Sequence, residues 1–151
     1  MSLLGRSAVL HASTAGKVWL ASLQEQEAIA IVLKQGFSPQ TEKTIRTIDQ
    51  LRLELARVRK NGYAIVNEEL IDGACAIGVP LWNARADRVL GALVLSSPTY
   101  RLSKKRTLSL VPAMKATAAK LTQFGNIDTY FGDIIDQYDR LSTKAKPKLA
   151  I

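Results

Sequence analysis

Three helices are predicted from the spacing of apolar residues in the first part of the chain. Apolar positions recur every three or four residues, and capping residues mark several of the ends. Ser13 is a typical N-cap, and Asn61-Gly62 is a typical C-terminal stop. The helices are predicted over residues 14–22, 25–34 and 48–60. The apolar faces carry Ile29, Val32 and Leu33 in the second helix and Ile48, Leu51, Leu55 and Val58 in the third.

Three strands are predicted next, over residues 62–67, 74–82 and 89–96. A polar hairpin connection joins the last two. In these two strands apolar residues occupy both faces, as the neighbours Cys75 and Ala76 show. Strands of this kind are covered on both sides. We therefore expect helices on one side of the sheet and either a ligand cavity or a partner on the other.

Two further helices are predicted towards the C-terminus. Ser103 is expected to cap a long helix that runs to about Phe124, with a kink or a late start caused by Pro112. An amphipathic pattern predicts a last helix over residues 127–141. The inward-facing positions predicted for the long helix are Leu108, Val111, Met114, Ala118 and Leu121.

The fold class predicted from this order of elements is α/β (α+β), with a mostly antiparallel sheet flanked by helices. Residues 1–125 are predicted to form the main domain and residues 126–142 an extra amphipathic helix. Residues 143–151 are predicted to be a basic, disordered tail. An amphipathic helix beyond the main domain is expected to cover the core or to contact another subunit.

Composition narrows the classes of protein that the chain can belong to. A length of 151 residues with 47% hydrophobic residues fits one globular domain. No apolar run is long enough to predict a membrane helix or a signal peptide, and the single Cys75 cannot form an internal disulfide. These features predict a cytoplasmic protein. The net charge of +8 is scattered and lacks a DNA-binding motif, so we interpret it as surface charge and not as a DNA-contacting surface.

Four segments together resemble a known family. They are residues 10–17 (LHASTAGK), 62–69 (GYAIVNEE), 73–80 (GACAIGVP) and 90–98 (LGALVLSSP). Their order and spacing resemble the effector-binding domain of the IclR family of bacterial transcription factors, over about residues 5–124. The resemblance implies a GAF-like fold that senses a small molecule.

The resemblance also implies that parts of the family's usual architecture are missing here. The winged-helix DNA-binding domain precedes the effector domain in this family, and the first strands of that domain precede the match at residue 10. We expect either a fragment or a shortened relative, which would meet DNA only through a domain absent from this chain. Open strand edges invite pairing, so we expect self-association as a dimer or a tetramer.

The candidate binding site begins at the predicted helix start formed by Ser13, Thr14 and Ala15. The first N–H groups of a helix are unpaired, and the helix dipole favours an anion there. A plain N-cap is the simpler interpretation of these residues alone. The resemblance implies that this turn binds the carboxylate of the effector.

The resemblance also places pocket positions at Val66, Ala76, Val94 and Ser96. Only Ser96 is polar, whereas the resemblance implies that the family's small-acid sensors hold a short keto acid with polar side chains at these positions. One interpretation is a larger apolar effector such as an aromatic acid. The alternative is that the domain binds nothing and these positions have become core.

Other residues with reactive or polar side chains give weaker signals. His11 either donates to the anion or is structural, and Lys17 either contacts the anion or is solvated. Cys75 is predicted to face the helices as a small buried hydrophobe. Glu68 and Glu69 point to opposite faces if they lie in a strand, so they cannot act on one bond. Trp19 and Trp82 either stack on a ligand or pack in a core or an interface.

Three functions were weighed. The favoured hypothesis is an effector-sensing and oligomerising domain of a transcriptional regulator, whose ligand biases the arrangement of subunits. A shortened assembly module without a ligand is the alternative. A small enzyme ranks last, because no nucleophile–base pair, metal-ligand spacing or phosphate loop is found. No cofactor, metal or membrane contact is predicted.

Overall fold

Four helices and three strands make up residues 9–123, the part of the chain that the computed structural model describes. The order of these elements confirms the predicted α+β fold class. The helix predicted over 127–141 and the tail predicted over 143–151 lie outside the described residues. The elements are α1 (Thr14–Ser22), α2 (Glu25–Gln35), α3 (Ile48–Asn61), β1 (Ala64–Asn67), β2 (Ala74–Trp82), β3 (Val89–Pro98) and α4 (Lys104–Gln123).

The three strands form an antiparallel sheet in the order β1-β2-β3. Ala76 of the central strand pairs with Val66 of β1 and with Ser96 of β3. Because successive residues of a strand point to opposite faces, Ala76 and Gly78 lie on one face of the sheet. Cys75, Ile77 and Val79 lie on the other face.

Helix α4 covers the face that carries Ile77 and Val79. Met114 and Ala118 are buried against these residues. The prediction that Leu108 faces inward is wrong: Leu108 is 41% exposed, whereas its neighbour Thr107 is only 2% exposed. Consecutive residues are about 100° apart around a helix. Because the buried stripe of α4 includes Thr107, the side chain of Leu108 lies beside that stripe and is partly exposed.

Helix α1 covers the opposite face of the sheet. Val18 of α1 packs in one cluster with Val58 of α3, Ala64 of β1 and Val89 of β3. Both faces of the sheet thus carry helices, but the cover of β3 is incomplete. Val94 on the α1 side is 41% exposed, and Leu95 on the α4 side is 38% exposed.

Helices α2 and α3 pack behind α1 in a second apolar cluster. Leu20 is the residue of α1 that is buried in this cluster with residues of α2 and α3. The prediction that Leu33 belongs to the apolar face of α2 is wrong, because this side chain is 54% exposed. The buried side of α2 is formed instead by Ala28, Ile29 and Val32.

Strand β1 begins two residues later than predicted because Gly62 still belongs to the end of α3. Gly62 has a φ of 70°, in the left-handed region that favours glycine. Its N–H donates to the Val58 carbonyl at 2.8 Å, which closes the helix. The chain can extend only after this cap, so the strand starts at Ala64.

Candidate functional site

The N-terminus of α1 provides two backbone donors without a partner in residues 9–123. Ser13 is extended (φ −103°, ψ 146°), and its Oγ accepts the N–H of Gly16 at 3.2 Å. The N–H of Lys17 donates to the Ser13 carbonyl at 2.9 Å. No hydrogen bond within the described residues satisfies the N–H of Thr14 or Ala15. These two amides are the groups that a helix start offers to an anion.

Strand β2 lets this helix start approach the sheet because residue 78 is glycine. A Cβ atom at Gly78 would lie 2.6 Å from the Thr14 Cγ2 atom and 3.4 Å from a methyl of Val94. The methyl of Thr14 therefore occupies the space that a side chain at position 78 would need. The absence of a side chain at Gly78 fixes the height of the first turn of α1 above the sheet.

The seven residues predicted to bind an effector share one face of the molecule. Val66, Ala76 and Ser96 form a row across the three strands, and Val94 pairs with Gly78 in the next row. Thr14 lies above Gly78, in contact with this second row. We call these seven residues the α1 patch: Ser13, Thr14, Ala15, Val66, Ala76, Val94 and Ser96.

The α1 patch is an open surface. Val66 is only 4% exposed, whereas Ala15 and Ser96 are exposed. The Ser96 hydroxyl makes one long hydrogen bond, to the Cys75 carbonyl at 3.4 Å. Four cavities in the described part of the chain are lined by other residues. The patch can therefore offer backbone donors at one end and apolar area at the other.

The prediction that the Lys17 side chain is solvated is wrong, because ion pairs hold it in the interior. It is fully buried, and its Nζ donates to both carboxylate oxygens of Glu69 at 2.6 and 2.7 Å. The same Nζ donates to Glu54 at 3.1 Å, and Arg57 binds Glu54 at 2.7 and 2.9 Å. We call these four residues, which bring two cations and two anions together, the Lys17 cluster.

The two carboxylates of the Lys17 cluster respond differently to burial. Burial raises the pKa of Glu69 above its usual value, because desolvation outweighs the attraction of Lys17. Burial acts in the same direction on Glu54. There, however, hydrogen bonds and charges from Arg57 and Lys17 outweigh it and lower the pKa. No local sequence pattern predicts this cluster, because its members come from α1, α3 and the loop after β1.

His11 is a core residue and does not reach the α1 patch as an anion donor. Its side chain is fully buried, and its ring lies 5.2 Å from the ring of Phe37. Neither ring nitrogen has a hydrogen-bond partner of normal geometry in residues 9–123. Burial lowers the pKa of His11, an effect that the backbone of Ser38 partly offsets and that Lys17 strengthens. Burial therefore favours the neutral imidazole over the charged form.

The prediction for Cys75 agrees with the structure. Cys75 lies on the α4 side of the sheet, with its thiol 3.4 Å from the Ser97 carbonyl and 3.5 Å from the Leu102 carbonyl. Burial raises the pKa of this thiol. A thiol of raised pKa is a poor nucleophile at neutral pH.

The two adjacent carboxylates do diverge, although they lie in the loop after β1 and not in a strand. Glu68 has a φ of 58° and pairs with Lys43, while Glu69 turns towards Lys17.

Trp82 lies at the far end of β2 from Ala76, where it lines a separate cavity. Residues 9–123 hold no group of three or more His, Cys, Asp or Glu side chains suited to a metal ion. None of the helices in that range could cross a membrane.

Comparison with known proteins gives a consistent result. The family model described as "Bacterial transcriptional regulator IclR C-terminal" matches residues 1–123. The chain is 37% identical over 114 residues to the probable HTH-type transcriptional regulator ArcR of Halobacterium salinarum. This match covers 76% of the chain and 43% of ArcR. The chain spans less than half the length of the first curated relatives that it matches.

Solved structures give the same fold. The C-terminal domain of the Escherichia coli transcriptional regulator KdgR superposes with a TM-score of 0.68 at 31% identity, covering 75% of this chain and 68% of that domain. A double mutant of the inducer-binding domain of PobR from Acinetobacter, solved as a complex with 3-hydroxybenzoic acid, gives a TM-score of 0.72 at 30% identity. That match covers 76% of this chain and 65% of the PobR chain.

Proposed function

The chain belongs to the IclR family of bacterial transcriptional regulators, and we propose that its effector is a small organic carboxylate bound at the α1 patch. The match is to the effector-binding domain of the family, whose curated members are named as transcriptional regulators and not as enzymes. Binding would bias the arrangement of subunits in a longer regulator, and thereby its contact with DNA.

The observation that carries this proposal is the pair of unpaired N–H groups at Thr14 and Ala15. They stand at the positive end of the α1 dipole, where a carboxylate gains both hydrogen bonds and a favourable field. The Lys17 ammonium is less suited to an effector, because it already binds two carboxylates.

An aromatic body fits the remainder of the α1 patch better than a short polar acid does. Ala76 and Val94 offer apolar area, Val66 is buried, and Ser96 is the exposed polar side chain of this row. A ring laid across this area would be oriented by Ser96, in the usual pattern of an apolar site with a few polar groups. PobR, whose domain was solved with 3-hydroxybenzoic acid, is a precedent for an aromatic acid.

A second candidate is an assembly module that binds no ligand. It is favoured by the openness of the α1 patch and by the exposure of Val94 (41%) and Leu95 (38%) on β3, an edge strand in residues 9–123. An exposed apolar edge strand is a site for pairing between chains. We propose self-association for either candidate, and DNA contact through a part of the regulator beyond this chain. A cytoplasmic location follows from that role.

Substitution of Ala15 by proline should weaken carboxylate binding without unfolding the domain. Proline in the first turn of a helix costs no helical hydrogen bond, because the N–H that it lacks has no partner there, but its ring disfavours the helical conformation of the preceding Thr14. Because a hydrogen bond to a charged group contributes roughly 1.5–3 kcal/mol, the Kd for 3-hydroxybenzoate should rise at least about tenfold. Isothermal titration calorimetry on Ala15→Pro, with Ala15→Ser as the matched variant that keeps the N–H, measures this change.

Both variants must first melt like the parent chain, since Ala15 is exposed and neither change disturbs the core. Equal affinity in Ala15→Pro and the parent chain would place the carboxylate elsewhere. A parent chain that binds none of a panel of aromatic and short keto acids would favour the assembly module.

A further inference from the structure

A cavity of about 410 Å³ lies beside β1, an edge strand among residues 9–123, and its lining includes residues of α3, β1, β2 and α4. Cys75 lines it, and this residue faces away from the α1 patch. The volume is in the range that ligand pockets of proteins occupy, about 300–1,000 Å³. The cavity is therefore large enough for a small metabolite, and none of the seven residues of the α1 patch lines it.

The lining of this cavity is divided into an apolar and a polar part. Ile65, Cys75 and Leu102 supply the apolar part. Arg57, Asn67 and Glu69 supply the polar part, in which a cation, an amide and a carboxylate stand side by side. Such a lining orients an amphipathic molecule, because the apolar body of the molecule packs against the apolar part and its polar head binds the polar part.

The polar groups keep hydrogen-bonding capacity for a ligand. Arg57 uses its Nε and Nη2 atoms on Glu54, which leaves further guanidinium N–H groups. Both oxygens of Glu69 accept from Lys17, and the carboxylate also accepts the backbone N–H of Asn67, so about one of its roughly four acceptor positions is left for a ligand. The side chain of Asn67 is exposed, and its amide makes no hydrogen bond within the described residues.

We propose that this cavity is a second small-molecule site, for a free amino acid with an apolar side chain. The ammonium group would meet Glu69, the carboxylate would meet Arg57 and Asn67, and the side chain would enter between Ile65, Cys75 and Leu102. The Lys17 cluster has two cations and two anions, so the polar part carries no net charge from it. A zwitterion matches this balance better than a simple anion or a simple amine does.

A ligand at this cavity would also be connected to the α1 patch. Glu69 lines the cavity and binds Lys17, which lies in the first turn of α1, three residues after Thr14. Any shift of Glu69 on binding is thus transmitted directly to the helix that carries the unpaired amides. Two ligands linked in this way would alter each other's affinity by the same factor.

Cys75 gives a direct probe of occupancy, because it is the one cysteine of the chain and lines the cavity. The rate of its alkylation by N-ethylmaleimide, followed by mass spectrometry, is measured with leucine, isocaproate or isopentylamine present. The last two compounds lack the ammonium and the carboxylate of leucine, respectively. At a concentration about ten times the Kd, leucine should slow alkylation about tenfold, since only the free form reacts.

Two variants separate this site from the α1 patch. Asn67→Phe fills the cavity from an exposed position and should abolish protection by leucine, while 3-hydroxybenzoate binding is unchanged. Ser96→Phe, on the other face of the sheet, should leave protection by leucine intact. Equal protection by isocaproate, protection that survives in Asn67→Phe, or no protection by leucine, phenylalanine or methionine would each overturn the proposal. None of these outcomes would bear on the α1 patch.

Discussion

Replacement of Lys17 by methionine should lower the free energy of unfolding by about 3 kcal/mol or more, as expected when one partner of a buried ion pair is removed. Lys17 is fully buried, and the side chains of Glu54 and Glu69 are only 15% and 14% exposed. The variant leaves Glu69 without a cation in a site that already disfavours its charge. Urea denaturation followed by circular dichroism measures the loss.

The matched control is Lys43→Met, which breaks the ion pair between Lys43 and Glu68. These side chains are 56% and 23% exposed, so the pair should contribute less than about 1 kcal/mol. In the double variant Lys17→Met/Glu69→Gln the neutral amide removes the unpaired charge. Part of the stability should therefore return. A Lys17→Met chain as stable as Lys43→Met would show that the Lys17 cluster does not hold α1 in place.

Substitution of Gly78 by alanine should destabilise the domain by about 2 kcal/mol, because overpacking a filled site costs roughly 1–3 kcal/mol. The new Cβ would lie 2.6 Å from the Thr14 Cγ2 atom. Thr14 is 4% exposed and β-branched, so its methyl cannot easily turn away. The first turn of α1 would have to lift off the sheet, and carboxylate binding at the α1 patch should weaken with it. Thermal denaturation and calorimetry measure the two effects.

The change Thr14→Ser tests the cause of this effect, since serine lacks the methyl group that the alanine Cβ would meet. Thr14→Ser alone should cost about 1 kcal/mol for the lost buried methyl. Gly78→Ala added to Thr14→Ser should cost little more, a non-additive result expected of residues in contact. If Gly78→Ala costs the same in both backgrounds, the helix start is not held against strand β2 as described.

Local patterns were sufficient to predict the elements and their caps. The start of α1 at Thr14 and the strand Ala74–Trp82 follow from an N-cap and from an apolar run, both of which act within a few residues. The common face of Val66, Ala76 and Ser96 depends on register as well. This common face is predicted only by the resemblance to the family, because periodicity alone does not indicate which residues pair across strands.

Tertiary contacts determine the burial of several residues that local sequence patterns did not predict correctly. Lys17 resembles any charged residue of a helix, and its burial depends on Glu54 and Glu69, which are 37 and 52 residues away. Leu108 and Leu33 are exposed because the neighbouring helices and sheet contact other positions of α4 and α2. The cavity at β1 has the same origin, since its lining comes from α3, β1, the loop after β1, β2, the segment before α4 and α4 itself.

The most direct test of the proposed function is a titration of the isotope-labelled chain with 3-hydroxybenzoate, followed by two-dimensional NMR of the backbone amides. The largest saturable shifts are expected at the N–H groups of Thr14 and Ala15, with smaller shifts at Val94 and Ser96. Shifts confined to residues around the β1 cavity, such as Asn67 and Cys75, would contradict the assignment of the carboxylate site to α1. So would a spectrum that does not change at any concentration of the acid.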